Sequence, residues 1–412
     1  MNATNNRRIA IVSHTLPPDS NGQALVLGRL LEGFDAGSCC LISGEACPET
    51  SLPIEHVKIP AGPRLKRIRP LESLIDPLQL SLDLRWWSRS LEKVVRDRQL
   101  HAIVACTGEV YELPAAARAA KRAGVPFFPY IFDWYRFKYS CLAGLHGWMI
   151  RRYASRAEGP MLRAARRVIV PNEPLRDEYQ RRYRVASLIV RNPTDFAPPE
   201  SVGPAWPDEP LTICYTGAVY QAQLDAFTRL LAALDQLPEG GVRLELYTDA
   251  TPDWLDQHGL RGPIDHRPRV PLAEVQQVQR GADVLFLPLA FHSPYPEIIR
   301  TSAPGKMGDY LASGRPILAH APADSFVSWY FREHECGVVV DNESVDGLAK
   351  AVQRLASDEA LRRRVAANAR RCAERDFGID RARRRFGEAV GLPVGDAPAS
   401  GPSPLSDQPH AA

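Results

Sequence analysis

Short apolar runs alternate with stretches whose apolar residues recur every three or four positions, and the alternation continues through most of the chain. Ile9–Ser13 is one such run and predicts a buried strand. The loop HTLPPDSNGQ follows, then a segment that sets Leu27, Leu30, Leu31 and Phe34 on one helical face. Further strands are predicted at Cys40–Ser43, Ala102–Cys106, Val125–Ile131, Val168–Val170 and Leu188–Val190, with helices between them, notably Leu113–Ala123 and Trp148–Ala165. Continuous apolar strands separated by helices predict a doubly wound parallel sheet covered on both faces.

The pattern breaks at residues 192–210, NPTDFAPPESVGPAWPDEP, where six prolines and few core-forming side chains predict a stiff linker. It then restarts. Leu211–Thr216 predicts a strand, followed by a helix with Phe227, Leu230, Leu231 and Leu234 on one face. Strands are predicted again at Val242–Tyr247, Ala282–Leu287, Pro316–Ala319 and Gly337–Val340, with helices at Ser344–Leu355 and Glu359–Arg371. The expected organisation is therefore an α/β domain at 1–195, a linker at 196–210, a second α/β domain at 211–375, a last arginine-rich helix at 376–390 and a disordered tail at 391–412.

Composition narrows the class. An apolar content of 45% and a charged content of 24% over 412 residues suit a protein of two ordinary domains. A net charge of +3 is too small to imply a nucleic-acid partner. No apolar stretch reaches the about 18 residues of a membrane span, and the opening MNATNNRR lacks the apolar core of a signal peptide. The eight cysteines form no CxxC pair, so neither a zinc site nor a disulfide framework is expected. These features predict a cytoplasmic protein. Three basic clusters, PRLKRIRP (63–70), RRYASR (151–156) and RARRR (381–385), are either solvated faces or contacts with the anionic inner membrane surface.

The candidate chemistry lies in residues 297–320, EIIRTSAPGKMGDYLASGRPILAH. Thr301–Gly305 reads as a tight turn leading into a short helix at Lys306–Ala312, with Gly314 ending it and Pro316–Ala319 starting a strand. Such a turn aims N–H groups at whatever lies in front of it, which suits a phosphate. Together with the preceding ADVLFLPLAFHSPYPE, the segment resembles the donor-site motif of family-four glycosyltransferases with the GT-B fold. The start, IAIVSHTLPPDSNGQALVLGRLLEGF, is similar to that family's opening, IVACTGEVYELPAAARAAKRAGVPFFPYIFDWYRF to its middle unit, RNPTDF to the close of its first domain, and LTICYTGAVY to the opening of its second.

The resemblance implies two Rossmann-like doubly wound domains facing each other across a cleft, with the last helix crossing back to the first domain. It implies a nucleotide-sugar donor held by the second domain through Gly217, Glu297, Arg300, Thr301, Ser302, Gly305, Lys306 and Asp309, with Gly22 approaching the donor or the acceptor. His14 and Asn21 are acceptor-side candidates, and Asp133 and Lys306 are the catalytic candidates. The chain departs from the family in four places. Phe132 stands where many members have a histidine, and Ala218–Asp225 lacks the usual arginine and lysine. Thr301 and Asp309 replace a pair of glutamates. Arg300 and Lys306 are extra cations that we expect to take over the lost phosphate contacts.

The implied activity is metal-independent transfer of a sugar, with retention of anomeric configuration, to a carbohydrate or lipid-linked hydroxyl acceptor in surface polysaccharide or glycoconjugate synthesis. No cofactor is expected beyond the donor substrate itself. Two alternatives stay open on residues alone: a non-catalytic binding or scaffolding protein on a degenerate version of the fold, and a nucleotide-sugar epimerase. A nicotinamide oxidoreductase is set aside, because no G-x-G-x-x-G follows either first strand.

Overall fold

The computed structural model describes residues 7–19, 21–45, 52–66, 72–196 and 210–393. Most of the expected linker, the end of the first basic cluster and nearly all of the expected tail lie outside these residues. The chain forms two compact units. Among the described residues the first comprises those up to Arg191 together with Ile379 onward, and the second runs Asn192–Gly378.

The first unit holds β1 (Ile9–Val12), β2 (Cys39–Ser43), β3 (Glu55–Lys58), β4 (Ala102–Cys106), β5 (Phe127–Tyr130), β6 (Val168–Val170) and β7 (Ser187–Ile189). They form one parallel sheet in the order β3-β2-β1-β4-β5-β6-β7. Alternation along β1 explains why the sheet is covered on both sides: Ala10 and Val12 join one core cluster, Ile9 and Ile11 the other. The first of these cores is closed by the helix Glu72–Asp97, whose Leu80, Leu84, Trp87, Leu91 and Val95 form a buried stripe at helical spacing. The last helix, Ile379–Val390, packs into the second core through Ala382, Phe386, Ala389 and Val390. Its Phe386 ring meets Phe34 edge-on at 5.8 Å. Arg383 donates to the carbonyl of Arg29 through Nε at 2.9 Å and Nη2 at 2.6 Å, and Arg385 donates to that of Ile189 at 3.1 Å. The third basic cluster therefore holds its own helix in place.

The second unit repeats the design with β8 (Leu211–Thr216), β9 (Val242–Tyr247), β10 (Ile264–Arg267), β11 (Val284–Pro288), β12 (Ile317–His320) and β13 (Val338–Val340). Their order is β10-β9-β8-β11-β12-β13, again parallel throughout. Val284 and Phe286 face one core, Leu285 and Leu287 the other. In each sheet the strand order reverses once, between β1 and β4 in the first and between β8 and β11 in the second. Ligands of open parallel sheets bind outside the carboxyl ends of the strands at such a reversal.

Candidate active site

The reversal in the second unit brings together two motifs far apart in sequence. Strand β8 is wholly buried and ends at Gly217, whose φ of +123° suits only glycine. A Cβ there would also lie 3.0 Å from the Lys306 Nζ. The same ammonium sits 3.6 Å from the centroid of the Tyr215 ring, a cation–π contact. Tyr215 is itself fixed, since its hydroxyl donates to the Ala218 carbonyl at 2.7 Å. One residue on, the Thr216 amide donates to the Tyr310 hydroxyl at 3.1 Å, and Gln279 donates to the Thr216 hydroxyl at 3.0 Å. Burial pushes the Lys306 ammonium down to about 7, and the nearby charge of Arg269 adds to the shift. Arg269 is held by Asp249 at 2.9 Å.

The turn before Lys306 is anchored from two sides. Asn192 Nδ2 donates to the Ala303 carbonyl at 2.8 Å, and the Met307 amide to that of Pro304 at 2.9 Å. A Cβ on Gly308 would meet Phe377 at 3.2 Å and the Asn192 carbonyl at 3.3 Å, so this glycine lets the helix Lys306–Ala312 seat against its supports. Asp309 lies on that helix and is 4% exposed.

Residues 296–301 correct one expectation. They form a short helix, Pro296–Thr301, so Thr301 ends a helix rather than opening the turn. Glu297 sits in its first turn and Arg300 in its last, while the Thr301 hydroxyl donates to the Glu297 carbonyl at 3.0 Å. Ser302 caps this helix, its amide donating to Ile299 at 3.2 Å, and Gly305 follows in ordinary right-handed backbone. The loop between β11 and this helix is pinned by Asp225, which accepts from the Phe291 amide at 3.0 Å and the His292 amide at 2.8 Å. Arg229 holds Asp225 in turn, at 3.0 Å.

The first unit uses its reversal differently. His14 follows β1 and places Nδ1 3.6 Å from Glu112, which is 2% exposed. The hydrogen bond to Glu112 raises the His14 pKa, against the opposing effect of burial. Glu112 also accepts the Glu109 amide at 2.9 Å, and a Cβ on Gly108 would lie 1.9 Å from its Oε2, so Gly108 leaves the space the carboxylate fills. The Gly108 carbonyl accepts from Lys138 Nζ at 3.0 Å and from the Tyr139 hydroxyl at 2.9 Å, which fixes the loop after β4.

Asn21 caps the helix Gly22–Leu31, its Oδ1 accepting the amides of Gln23 at 3.0 Å and Ala24 at 3.1 Å. Gly22 is exposed, and a Cβ there would meet no other protein atom within 4 Å. Phe132, in the expected histidine position, stacks on Tyr130 with centroids 4.3 Å apart. Asp133 beside it reaches solvent. The surrounding protein raises its pKa and Lys138 opposes the shift.

Gly217, Lys306 and the turn thus come together in the second unit, and His14 joins Glu112 in the first. Sequence reading missed Arg269, Asp225, Glu112 and Lys138. Glu112 and Lys138 sit within or just after a stretch matched to the family's middle unit, but nothing in their spacing marks them.

Two family descriptions match the chain: glycosyl transferase 4-like domain over residues 21–194 and glycosyl transferases group 1 over residues 210–358. A comparison with curated proteins finds no match. Among solved structures, a sucrose-phosphate synthase from Thermosynechococcus elongatus is 17% identical with a TM-score of 0.66, covering 93% of this chain and 98% of the other. Anabaena Alr3699/HepE in complex with UDP and glucose is 13% identical, with a TM-score of 0.63 and coverage of 93% and 99%. The lipopolysaccharide outer core galactosyltransferase WaaB is 12% identical, with a TM-score of 0.61 and coverage of 93% and 99%. At these identities the structures speak for the fold, while the two domain matches speak for the chemistry.

Proposed function

The chain belongs to the GT-B glycosyltransferases of family-four type, and from that premise we propose that it moves a sugar from a nucleoside-diphosphate donor to a hydroxyl acceptor. The observation that carries this reading is the Lys306 ammonium beside Gly217 at the reversal of the second sheet. Breaking the bond from the sugar to the donor leaves negative charge on the diphosphate. A cation already in place stabilises that charge more as the bond breaks than before it does. Lys306, with the charge of Arg269 near it, supplies positive charge where Ala218–Asp225 lacks the family's arginine and lysine. Gly217 lets the diphosphate approach the main chain. Arg300, Ser302, Gly305 and Asp309 complete the donor side, with Asp309 directed to ribose hydroxyls and Glu297 to the sugar.

We assign the acceptor to the first unit, at His14, Asn21 and Asp133. Transfer proceeds with retention: the acceptor oxygen bonds to the anomeric carbon on the face the phosphate leaves, and the acceptor proton passes to the departing phosphate oxygen. The two protein cations do the work of charge neutralisation, so chelators leave the rate unchanged. UDP bound to the Anabaena relative supports uridine sugars as the first donors to try. The lipopolysaccharide galactosyltransferase supports an acceptor in surface glycoconjugate synthesis.

Thermal-shift binding against UDP-, GDP-, ADP-, CMP- and dTDP-sugars tests the reading. One nucleotide class should stabilise the native chain, and Lys306→Ala and Asp309→Ala should each lose that stabilisation. No shift with any donor at millimolar concentration would overturn it.

A further inference from the structure

We propose that one face of the first unit docks on an anionic phospholipid surface, through Leu65, Leu78, Leu142, Leu145 and Trp148 set among Arg64, Lys66, Arg152 and Arg156. Exposed apolar side chains are ordinary when scattered singly and informative when they gather. Among the described residues seven large hydrophobic side chains are exposed, and five of them are these: Leu65 at 37%, Leu78 at 59%, Leu142 at 37%, Leu145 at 60% and Trp148 at 51%.

Contacts between their segments place them on one side. The Leu65 amide donates to Gln79 Oε1 at 2.8 Å and Gln79 Nε2 donates to the Pro63 carbonyl at 3.1 Å, so this loop runs along the helix beside Leu78. His146 and Asp76, 2.6 Å apart, join the start of the helix Gly144–Arg163 to the same helix. Along Gly144–Arg163, Leu145, Trp148, Arg152 and Arg156 recur at spacings of three and four and share a face. The Arg152 guanidinium lies 5.3 Å from the centre of the Trp148 ring. Arg151 donates to the Leu142 carbonyl and holds the preceding loop.

Tryptophan and leucine bordered by arginine and lysine suit the headgroup level of a bilayer, where apolar bodies enter and cations meet phosphate. The nearest carboxylates do not reverse this balance: Asp76 pairs with His146, and Asp83 lies 3.9 Å from Arg64. A second copy of the chain fits the face poorly, because pairing the face with itself would bring two basic sets, each with Arg64, Lys66, Arg152 and Arg156, into one interface. The second basic cluster thus gains an apolar companion that the third, spent on holding its helix, does not have. No helix among the described residues is long and apolar enough to cross a membrane, so the contact is one of lying on the surface.

Co-sedimentation of the full chain with phosphatidylcholine vesicles, with and without phosphatidylglycerol, tests this. Neither sugar nor nucleotide enters the readout, so its failure is distinct from failure of the donor reading. The native chain should partition onto the anionic vesicles. Leu145→Ser with Trp148→Ser should lower partitioning at least about tenfold, and Arg152→Glu with Arg156→Glu by a similar factor. Arg363→Glu with Arg364→Glu, the same charge change on an exposed helix face of the second unit, should leave it within about twofold. Melting curves confirm that each variant folds; should the apolar pair unfold the chain, the arginine pair decides. The proposal falls if the native chain ignores anionic vesicles, or if the control pair weakens binding as much as the Arg152 and Arg156 pair. It also falls if the native chain dimerises without lipid and the apolar pair abolishes the dimer.

Discussion

The two sheets reverse their strand order in the same way, yet their carboxyl ends carry opposite chemistry. The second unit presents Lys306 over Tyr215 with the charge of Arg269 near it, and two of its carboxylates, Asp225 and Asp249, are occupied in holding main chain or arginine. The first unit presents His14, Glu109, Glu112 and Asp133, with Lys138 turned into the Gly108 carbonyl. One scaffold therefore yields a cationic end suited to a diphosphate and an acidic, hydrogen-bonding end suited to hydroxyl groups. What separates them is a few side chains after equivalent strands, not the sheets.

The sharpest way to break this contrast is to remove the cation. Lys306→Ala should lower kcat by about 10²–10³-fold, the usual cost of losing a preorganised group that stabilises leaving-group charge, measured as initial rates of sugar transfer. The pH profile gives an independent check. With its pKa lowered to about 7, Lys306 loses its charge as pH rises through neutrality, so kcat/KM should fall above pH 7. Stability should move the other way. Between about pH 7 and the ordinary lysine value the unfolded chain holds a proton that the folded chain has released, so stability from this group rises with pH. Lys306→Arg should flatten both trends. A rate that holds or climbs above pH 7 in the native chain would remove Lys306 from the reaction.

Much of the fold was legible because both sheets are parallel. Strands buried on both faces read as unbroken apolar runs, and Ile9–Val12, Ala102–Cys106, Val168–Val170 and Leu211–Thr216 all stand out in that way. The edge strands Glu55–Lys58 and Ile264–Arg267 did not, because they are only partly buried and carry charge. The 26-residue helix Glu72–Asp97 was hidden for another reason: Pro77 interrupts its start, and its buried stripe runs among many charged positions. At the site, Gly217 and Lys306 were readable through motif and resemblance, each within its own segment. Their meeting at Tyr215 was not, since the sequence separates them by four helices and three strands. Arg269 and Asp225 act through folded geometry alone, and no local pattern announces such residues.

Asp225 gives a second, smaller way to sharpen the comparison. Its carboxylate receives two main-chain amides from the loop that leads to the donor turn, and Arg229 holds it from behind. A charge-assisted hydrogen bond contributes about 1.5–3 kcal/mol when buried; Asp225 is partly exposed, so Asp225→Ala should destabilise the chain by about 2–3 kcal/mol in total in urea unfolding. Asp225→Asn keeps an acceptor and should recover part of that loss. With the loop loosened but Lys306 untouched, KM for the donor should rise while kcat changes less. An equal fall in kcat with KM unchanged would mean that Asp225 acts on the transition state rather than on the loop.

The smallest expected effect lies at the acidic end, where His14 and Glu112 meet. Glu112 holds the imidazolium form, so the His14 pKa lies above the ordinary histidine value. Stability from this pair is present below the unfolded pKa and is lost as pH rises through the higher folded value. His14 is 37% exposed, so after solvent screening the contribution is about 0.5 kcal/mol or less. Glu112→Gln preserves an acceptor for the Glu109 amide but removes the charge. NMR titration of the His14 ring should then show its pKa falling toward the ordinary value, while donor binding in the second unit stays as it was. If the His14 titration is unmoved, Glu112 is not its partner in solution. The acidic character assigned to this end would then rest on Glu109 and Asp133, and the contrast with the cationic end would be weaker by one charge.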